Sequence, residues 1–292
     1  MHPLIQKLLS EQPVITDGAW GSQIQSLGLQ PGACPDNWNL ANPGAVGQVA
    51  LSYVAAGSRI ILTNTFGANR IMLERHGLSD KAAAINRAGA MISRKAAQDA
   101  AFVFGSIGPT GKMVFSGEVS ESELGEVFAE QAIALAEGGV HGFVIETMSE
   151  LAEARSALKA VQRIGLPVVV SMTYDSGKGY ERTMMGIKPE EASEEFKVAG
   201  ADVIGDNCGM GTEYIVSICS RIRSTTNLPI WIKPNAGLPE VINGIVTYNS
   251  TPESFAGYAL RIVEAGANFI GGCCGTNPEY IRALKRVLNQ KT

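Results

Sequence analysis

The chain repeats one pattern of apolar and polar positions. A stretch with helical spacing ends in glycine, a small or polar residue follows, and a short uninterrupted apolar run comes next. "AAGSRIILTN", "EGGVHGFVIE", "RIGLPVVVSM", "VAGADVIGDN" and "EAGANFIGGC" all show it. Glycine just past a helix accepts the left-handed conformation that ends it. Short apolar runs rich in β-branched residues, without polar alternation, read as strands buried on both faces. Such runs lie near 13–16, 59–63, 102–106, 142–145, 167–172, 202–205, 229–232 and 268–271.

The segments between them carry helix signals. "VSESELGEVFAEQAIALAEGG" opens with Ser120 and Glu123 at capping-box spacing, and Leu124, Val127, Phe128 and Leu135 mark one apolar side. "STPESFAGYALRIVEAG" reads as one helix with Thr251 as N-cap and Pro252 in the first helical position, where a missing N–H costs nothing. Asn277 and Pro278 repeat that arrangement in "TNPEYIRALKRVL". Eight strands alternating with helices predict an α/β protein, a single (β/α)8 TIM barrel over residues 1–292. The alternative, a doubly wound open sheet, would carry G-x-G-x-x-G after its first strand, and that fingerprint is missing.

Composition narrows the picture. Hydrophobic residues make up 45% of the chain and charged residues 18%, which suits a large core. The net charge is −4 and no Lys/Arg-rich run exists, so neither nucleic acid nor an anionic membrane is an expected partner. Apolar stretches such as "PVVVSM" are too short to span a bilayer. Residues 1–12 hold Lys7 and Glu11 and lack the long apolar segment of a secretory signal. Five cysteines, at 34, 208, 219, 273 and 274, are an odd and sparse set for disulfides. These features predict a cytoplasmic protein.

In barrels of this kind chemistry gathers where strands end. Those ends carry Asp17, Asn64, Ser106, Glu146, Ser171, Cys208, Asn235 and the pair Cys273–Cys274. Cys208 follows the sixth strand and Cys273–Cys274 the eighth, with only the seventh, ending in "KPNAG", between them. The three thiols could therefore hold one metal. Three thiolates around Zn²⁺ leave one tetrahedral position open, the mark of a reactive site. Electron-rich sulfur ligands would keep an incoming thiol nucleophilic, which suits thiol alkylation better than water activation. Other readings stay open: a phosphate grip at the glycine-rich end of the eighth strand, a strained vicinal disulfide, or plain packing of small hydrophobes. Cys219, in "EYIVSICSRI", reads as a buried helical residue, and Cys34 as a free loop thiol. A zinc hydrolase would want histidine ligands, and His2, His76 and His141 form no strand-end pair.

Seven motifs follow the strands in order: "DGAWGSQ", "TNTFGANR", "GSIGPTGK", "ETM", "NCG", "KPNAG" and "GGCCGT". On these the chain resembles, over nearly its full length, the homocysteine S-methyltransferase family. That family includes the betaine–homocysteine methyltransferases, the S-methylmethionine enzymes and the homocysteine module of cobalamin-dependent methionine synthase. The resemblance implies zinc held by Cys208, Cys273 and Cys274 as the catalytic centre, with the homocysteine sulfur as fourth ligand. It implies Asn235 as the candidate oxygen ligand when substrate is absent, and Asp17 and Glu146 on the substrate amino group. The backbone N–H of Gly18 and its neighbours would take the substrate carboxylate. The implied reaction moves a methyl group to the zinc-bound thiolate, giving methionine. Betaine, S-methylmethionine or a methylcorrinoid would be the donor.

Departures bear on that donor. Animal-type betaine enzymes carry tyrosines where this chain has Asn69 and Thr147. A quaternary ammonium donor wants an aromatic cage, and only Trp20, Trp38, Phe66 and Tyr174 are candidates, read here as packing apart from Trp20, which is expected at the mouth. Little chain follows "GGCCGT", so the dimerising arm of the animal enzymes is not expected. Nothing resembles a cobalamin- or folate-binding module, so neither cofactor is expected to be tightly bound. The alternatives are methylation of another thiol or selenol, a component that works only with a corrinoid protein, and a non-catalytic partner or zinc-storage module.

Overall fold

A computed structural model describes residues 1–242 and 245–289. Its strands in chain order are β1 (Val14–Ile15), β2 (Ile60–Leu62), β3 (Phe102–Ile107), β4 (Gly142–Met148) and β5 (Val168–Met172), followed by β6 (Val203–Cys208), β7 (Ile230–Pro234), β8 (Pro239–Ile242), β9 (Ile245–Tyr248) and β10 (Phe269–Ile270). Eight of them form one parallel sheet in the order β1-β10-β7-β6-β5-β4-β3-β2. With helices between successive strands, this is the expected (β/α)8 barrel, and each of its strands falls on one of the apolar runs.

Strand alternation sorts the side chains into two cores. Val14, Ile60, Leu62, Phe104, Val144, Val169, Val203, Trp231 and Phe269 point inward and pack with Ile5 and Leu8 of the helix Pro3–Leu9. Trp231 lies in register with Gly205, where a Cβ would collide with the Trp231 backbone carbonyl. Their neighbours, such as Ile61, Val103, Val170, Ile204 and Ile232, face outward against the helices. A sheet buried on both faces explains why its strands read as continuous apolar runs.

The barrel closes at a seam. β1 and β2 share no ladder; the Arg59 N–H donates to the Ile15 carbonyl at 2.7 Å, and the Leu62 N–H donates to the Asp17 carboxylate at 2.7 Å. A side chain thus completes pairing that the short β1 cannot provide.

Helix caps fall as the sequence suggests. Ser120 accepts from the Glu123 N–H at 3.2 Å, Thr251 from Ser254 at 3.2 Å, and Asn277 from Glu279 at 2.8 Å. Two features differ from expectation. Residues 252–264 are two helical segments, Pro252–Gly257 and Ala259–Glu264, because the Tyr258 N–H donates to Phe255, three residues back, and tightens the turn. The antiparallel pair β8–β9 after β7 was not expected, although its β-branched runs flank an Asn-Gly dipeptide. That dipeptide, residues 243 and 244, lies outside the described residues. Among the described residues no helix is long and apolar enough to cross a membrane.

Candidate metal centre

The sulfur of Cys208, at the end of β6, lies 3.1 Å from that of Cys273 and 3.8 Å from that of Cys274. All five cysteines are free, which removes the vicinal disulfide. Cys208 adopts a left-handed backbone at φ 65°, a conformation that costs a non-glycine residue about 1–3 kcal/mol unless its surroundings impose it. Asn207 supplies the surroundings. Its fully buried carboxamide accepts from the Thr147 N–H at 2.9 Å and the Ser171 hydroxyl at 2.7 Å, and donates to the Thr147 hydroxyl at 2.7 Å. Thr147 is itself left-handed at φ 63°, beside a register shift between β4 and β5. The same Asn207 nitrogen sits 3.9 Å from the Cys273 sulfur.

The loop after β10 is held by its own backbone. Gly271, Gly272 and Cys273 donate to the carbonyls of Ile232, Asp17 and Pro234 at 3.0, 3.0 and 2.8 Å, and Thr276 donates to Cys273 at 3.1 Å. Those four N–H groups are engaged within the rim. The effect of the loop is to present two adjacent thiols to Cys208.

The donor set fits a tetrahedral cation. Four-coordinate zinc with Zn–S bonds of about 2.3 Å places its sulfurs about 3.8 Å apart, and the three sulfurs here lie within 4.8 Å of one another. Among the described residues they are the one cluster of this kind. Asn235 adds a second observation: its Nδ2 donates to the Gly209 carbonyl at 2.8 Å, while its buried Oδ1 has no partner. Crowding sets the protonation. Hydrogen bonds from Cys208 and Cys273 hold the Cys274 thiol well below its usual range, and the same contacts push Cys208 up.

Below the thiols lies an acidic and basic floor. Asp17, with no exposed surface, is ion-paired to Lys233 at 2.6 Å, and Lys233 is equally buried. The other Asp17 oxygen accepts from Leu62 and from the Trp20 indole, each at 2.7 Å. Burial pushes Lys233 down, but the charges of Asp17 and Glu146 outweigh it and the net shift is upward. Glu146, at the end of β4, takes the Ser106 hydroxyl on Oε1. Burial pushes its carboxyl up to about 7 against the pull of Lys233. Gly18 has a packing reason: a Cβ there would meet the Thr276 hydroxyl and the Tyr53 hydroxyl at 2.8 Å. The next N–H, of Ala19, is already given to Thr276 at 3.1 Å.

Tyr248 and Lys233 escaped the sequence reading. Tyr248, from β9, lays its ring on Gly275, where a Cβ would come within 2.3 Å of it, and its hydroxyl donates toward Cys274. The signal for Tyr248 was the unread hairpin. For Lys233 it was a lysine directly after the apolar "IWI" of a strand buried on both faces. The remaining aromatics form no cage: Tyr174 is 3% exposed, Trp20 is tied to Asp17, and Trp38 packs on the outer core. Phe66 is exposed. Asn69 caps the helix Arg70–Glu74, accepting from Met72 at 2.9 Å. Cys219 is buried, as expected, whereas Cys34 is buried beside Asp36, and burial pushes its thiol up to about 11.

The fold and this mouth place the chain among barrel enzymes whose chemistry runs at the C-terminal ends of the strands. The family model described as Homocysteine S-methyltransferase matches residues 14–288, and the chain belongs to that family of methyltransferases. It is similar to methionine synthase of Mycobacterium leprae, 28% identical over 94% of this chain and 24% of that protein. The Mycobacterium tuberculosis methionine synthase is 27% identical over 95% of this chain and 25% of that protein. The chain thus spans about a quarter of the length of these relatives. Its fold matches the homocysteine methyltransferase MmuM from Escherichia coli in a metallated form, with TM-score 0.81 and 22% identity over 97% of this chain and 99% of that one.

Proposed function

We propose that this chain transfers a methyl group to the sulfur of homocysteine, giving methionine, with zinc on Cys208, Cys273 and Cys274. The observation that carries the reading is the convergence of these thiols, 3.1 and 3.8 Å from Cys208, at the mouth of the barrel. Zinc on three thiolates supplies a Lewis-acid position that keeps an acceptor thiol deprotonated at neutral pH. The chain's own residues do the rest. Asn207 and the Gly271–Thr276 loop orient the thiols, Tyr248 steadies Cys274 by hydrogen bonding, and Asn235 offers an unpartnered oxygen beside them. Glu146 and the Asp17–Lys233 pair form the charged floor for the amino-acid end. The acceptor thiol gives its proton to solvent, the thiolate attacks the methyl carbon, and the methyl–donor bond breaks with its electron pair leaving on the donor. Alignment of sulfur and methyl is what the rigid rim contributes.

The lack of an aromatic cage among the described residues argues against a quaternary ammonium donor. The similarity to a quarter of much longer methionine synthases favours a methylcorrinoid, presented by another protein or module. The test offers zinc-loaded protein homocysteine with methylcobalamin, betaine or S-methylmethionine in separate reactions. Methionine from methylcobalamin, with about one zinc per chain, supports the reading. Turnover with betaine alone overturns the donor, and absence of bound zinc under reducing conditions overturns the centre.

A further inference from the structure

Opposite the thiols, at the N-terminal ends of β2, β3 and β4, the surface holds a recess of about 270 Å³. Phe102 lines it, and two cations lie over that ring, Arg59 at 4.7 Å and Lys7 at 5.5 Å from the centroid. Arg59 is committed, since its guanidinium pairs with Glu11 at 2.6 Å. Lys7 and Arg94, which also line the recess, are not. Arg70, Arg87, Arg155 and Arg221 each pair with a glutamate, whereas neither Lys7 nor Arg94 makes a salt bridge among the described residues. His141 adds a neutral donor. Its Nδ1 accepts the Val103 N–H at 2.9 Å, so the ring proton sits on Nε2, which has no partner among the described residues. Gln98, on the same lining, ends the helix Ala82–Ala97 at φ 45°, a conformation rare outside glycine and concentrated at ligand sites. Asp99, exposed, is the acidic residue of the lining.

We propose that this recess binds a compact phosphate group, either free phosphate or the head of a small phosphate monoester, through Lys7, Arg94 and the His141 Nε2–H, with Gln98 as a neutral partner. The site is separate from the thiols and stands independently of the methyl-transfer reading. Two unpaired cations and an N–H, from the helix Pro3–Leu9, the helix Ala82–Ala97 and the start of β4, surround one space. A tetrahedral anion has oxygens in enough directions to accept from all three, which a planar carboxylate does not. The Phe102 ring is already engaged by two cations and, at 5.1 Å, by the edge-on His141 imidazole, so it offers little to a stacked base. The volume of about 270 Å³ is that of roughly nine waters, which admits a phosphate with a short carbon chain but favours nothing larger. Burial and Arg94 hold the His141 imidazole down at about 4, and a dianion beside it would oppose Arg94 and draw it upward.

The test titrates the full chain with inorganic phosphate and with glycerol 3-phosphate at constant ionic strength. The His141 ring signals are followed by NMR and assigned by their loss in His141→Gln. Both ligands should shift these signals saturably and move the histidine's titration midpoint upward, and succinate should do neither. Arg94→Gln and Lys7→Gln should each weaken phosphate by roughly tenfold, the low end for a charged hydrogen bond at a partly exposed site. Lys178→Gln, an exposed cation on the loop after β5, and Cys208→Ala at the opposite mouth should each change it by less than about twofold. A melting curve checks that each variant is folded. The site is overturned if no saturable shift appears up to about 20 mM phosphate, or if Arg94→Gln binds as wild type does. Equal weakening by Lys178→Gln would reduce the effect to general charge attraction, and loss in Cys208→Ala would put the anion at the thiols; either result also overturns it. Succinate binding as tightly as phosphate overturns the ligand class.

Discussion

The two ends of the barrel lumen are built from the same strands with opposite chemistry. Toward the N-terminal ends the interior is Val14, Ile60, Phe104, Val144, Val169, Val203, Trp231 and Phe269, sealed by Ile5 and Leu8. Toward the C-terminal ends the same β3, β4, β6 and β7 contribute Ser106, Glu146, Asn207 and Lys233, all with little or no exposed surface. The apolar layer is stabilised by area removed from water. The polar layer must satisfy each group with a partner, because an unpaired buried charge costs several kcal/mol. Most of it does so in local groups, Asp17 with Lys233, Glu146 with Ser106, and Asn207 with Thr147 and Ser171, while Asn235 Oδ1 stays unpartnered. Stability and chemistry are therefore separable by depth along one strand.

That separation can be broken from either side. Cys208→Ala removes one thiol of the proposed centre without touching the apolar layer. It is expected to abolish stoichiometric zinc and to lower methyl transfer by at least about 1000-fold, read by metal analysis and a methionine assay. The unfolding free energy of the metal-free protein should change by no more than about 1 kcal/mol. Trp231→Ala, fully buried in the lower layer, is expected to do the reverse. A loss of about 3–5 kcal/mol in denaturant unfolding, with about one zinc still bound per folded chain, is the predicted result. A parallel loss of metal in that variant would show that the layers are coupled.

Smaller changes sharpen the comparison. Asn207→Ala deletes the carboxamide that holds Thr147 and touches Cys273. Outer-shell partners of metal ligands are worth about 10- to 100-fold in affinity, and a competition assay with a chelator would measure that loss. The smallest effect belongs to the N-terminal rim, where His141 Nδ1 accepts the Val103 N–H at 2.9 Å and its ring meets Phe102 edge-on. Burial, with Arg94 nearby, pushes His141 down to about 4. The unfolded chain then binds more protons between about pH 6.5 and 4, so this stabilisation is full above 6.5 and lost as pH falls through 4. Since the ring is only half-buried, solvent screening reduces the effect to about 1 kcal/mol. His141→Gln should flatten that part of the acid limb of chemical denaturation. Burial holds the Asp36 carboxyl up at about 6, which acts in the opposite direction, so the difference between the two proteins isolates the histidine.

Much of this was legible in the chain. The glycine-ended helices and continuous apolar runs located every barrel strand, because a parallel sheet covered on both faces leaves that mark. The strand count also sets Cys208 and the Cys273–Cys274 pair on strand ends with a single strand between them, which by itself nominates the three thiols as a candidate metal centre. The hairpin that carries Tyr248 was missed because its runs are short and lie between two stronger motifs, "KPNAG" and "TPESF". Lys233 is not legible in the sequence because a lysine in a motif reads as surface charge until its neighbours are known.

The sequence by itself determined the fold and the placing of three thiols on strand ends at one mouth of the barrel. Both follow from periodicity and order along the chain. Only the tertiary structure decided how the charges pair. Asp17 and Lys233 lie far apart in sequence, and nothing local to either indicates the 2.6 Å contact across the lumen. The same holds for Asn207, whose hold on Thr147, Ser171 and Cys273 depends on three strands meeting at one depth. Hydrophobic burial is read from patterns because it is non-directional, whereas hydrogen bonds and ion pairs depend on angles and distances that exist only after the chain has closed.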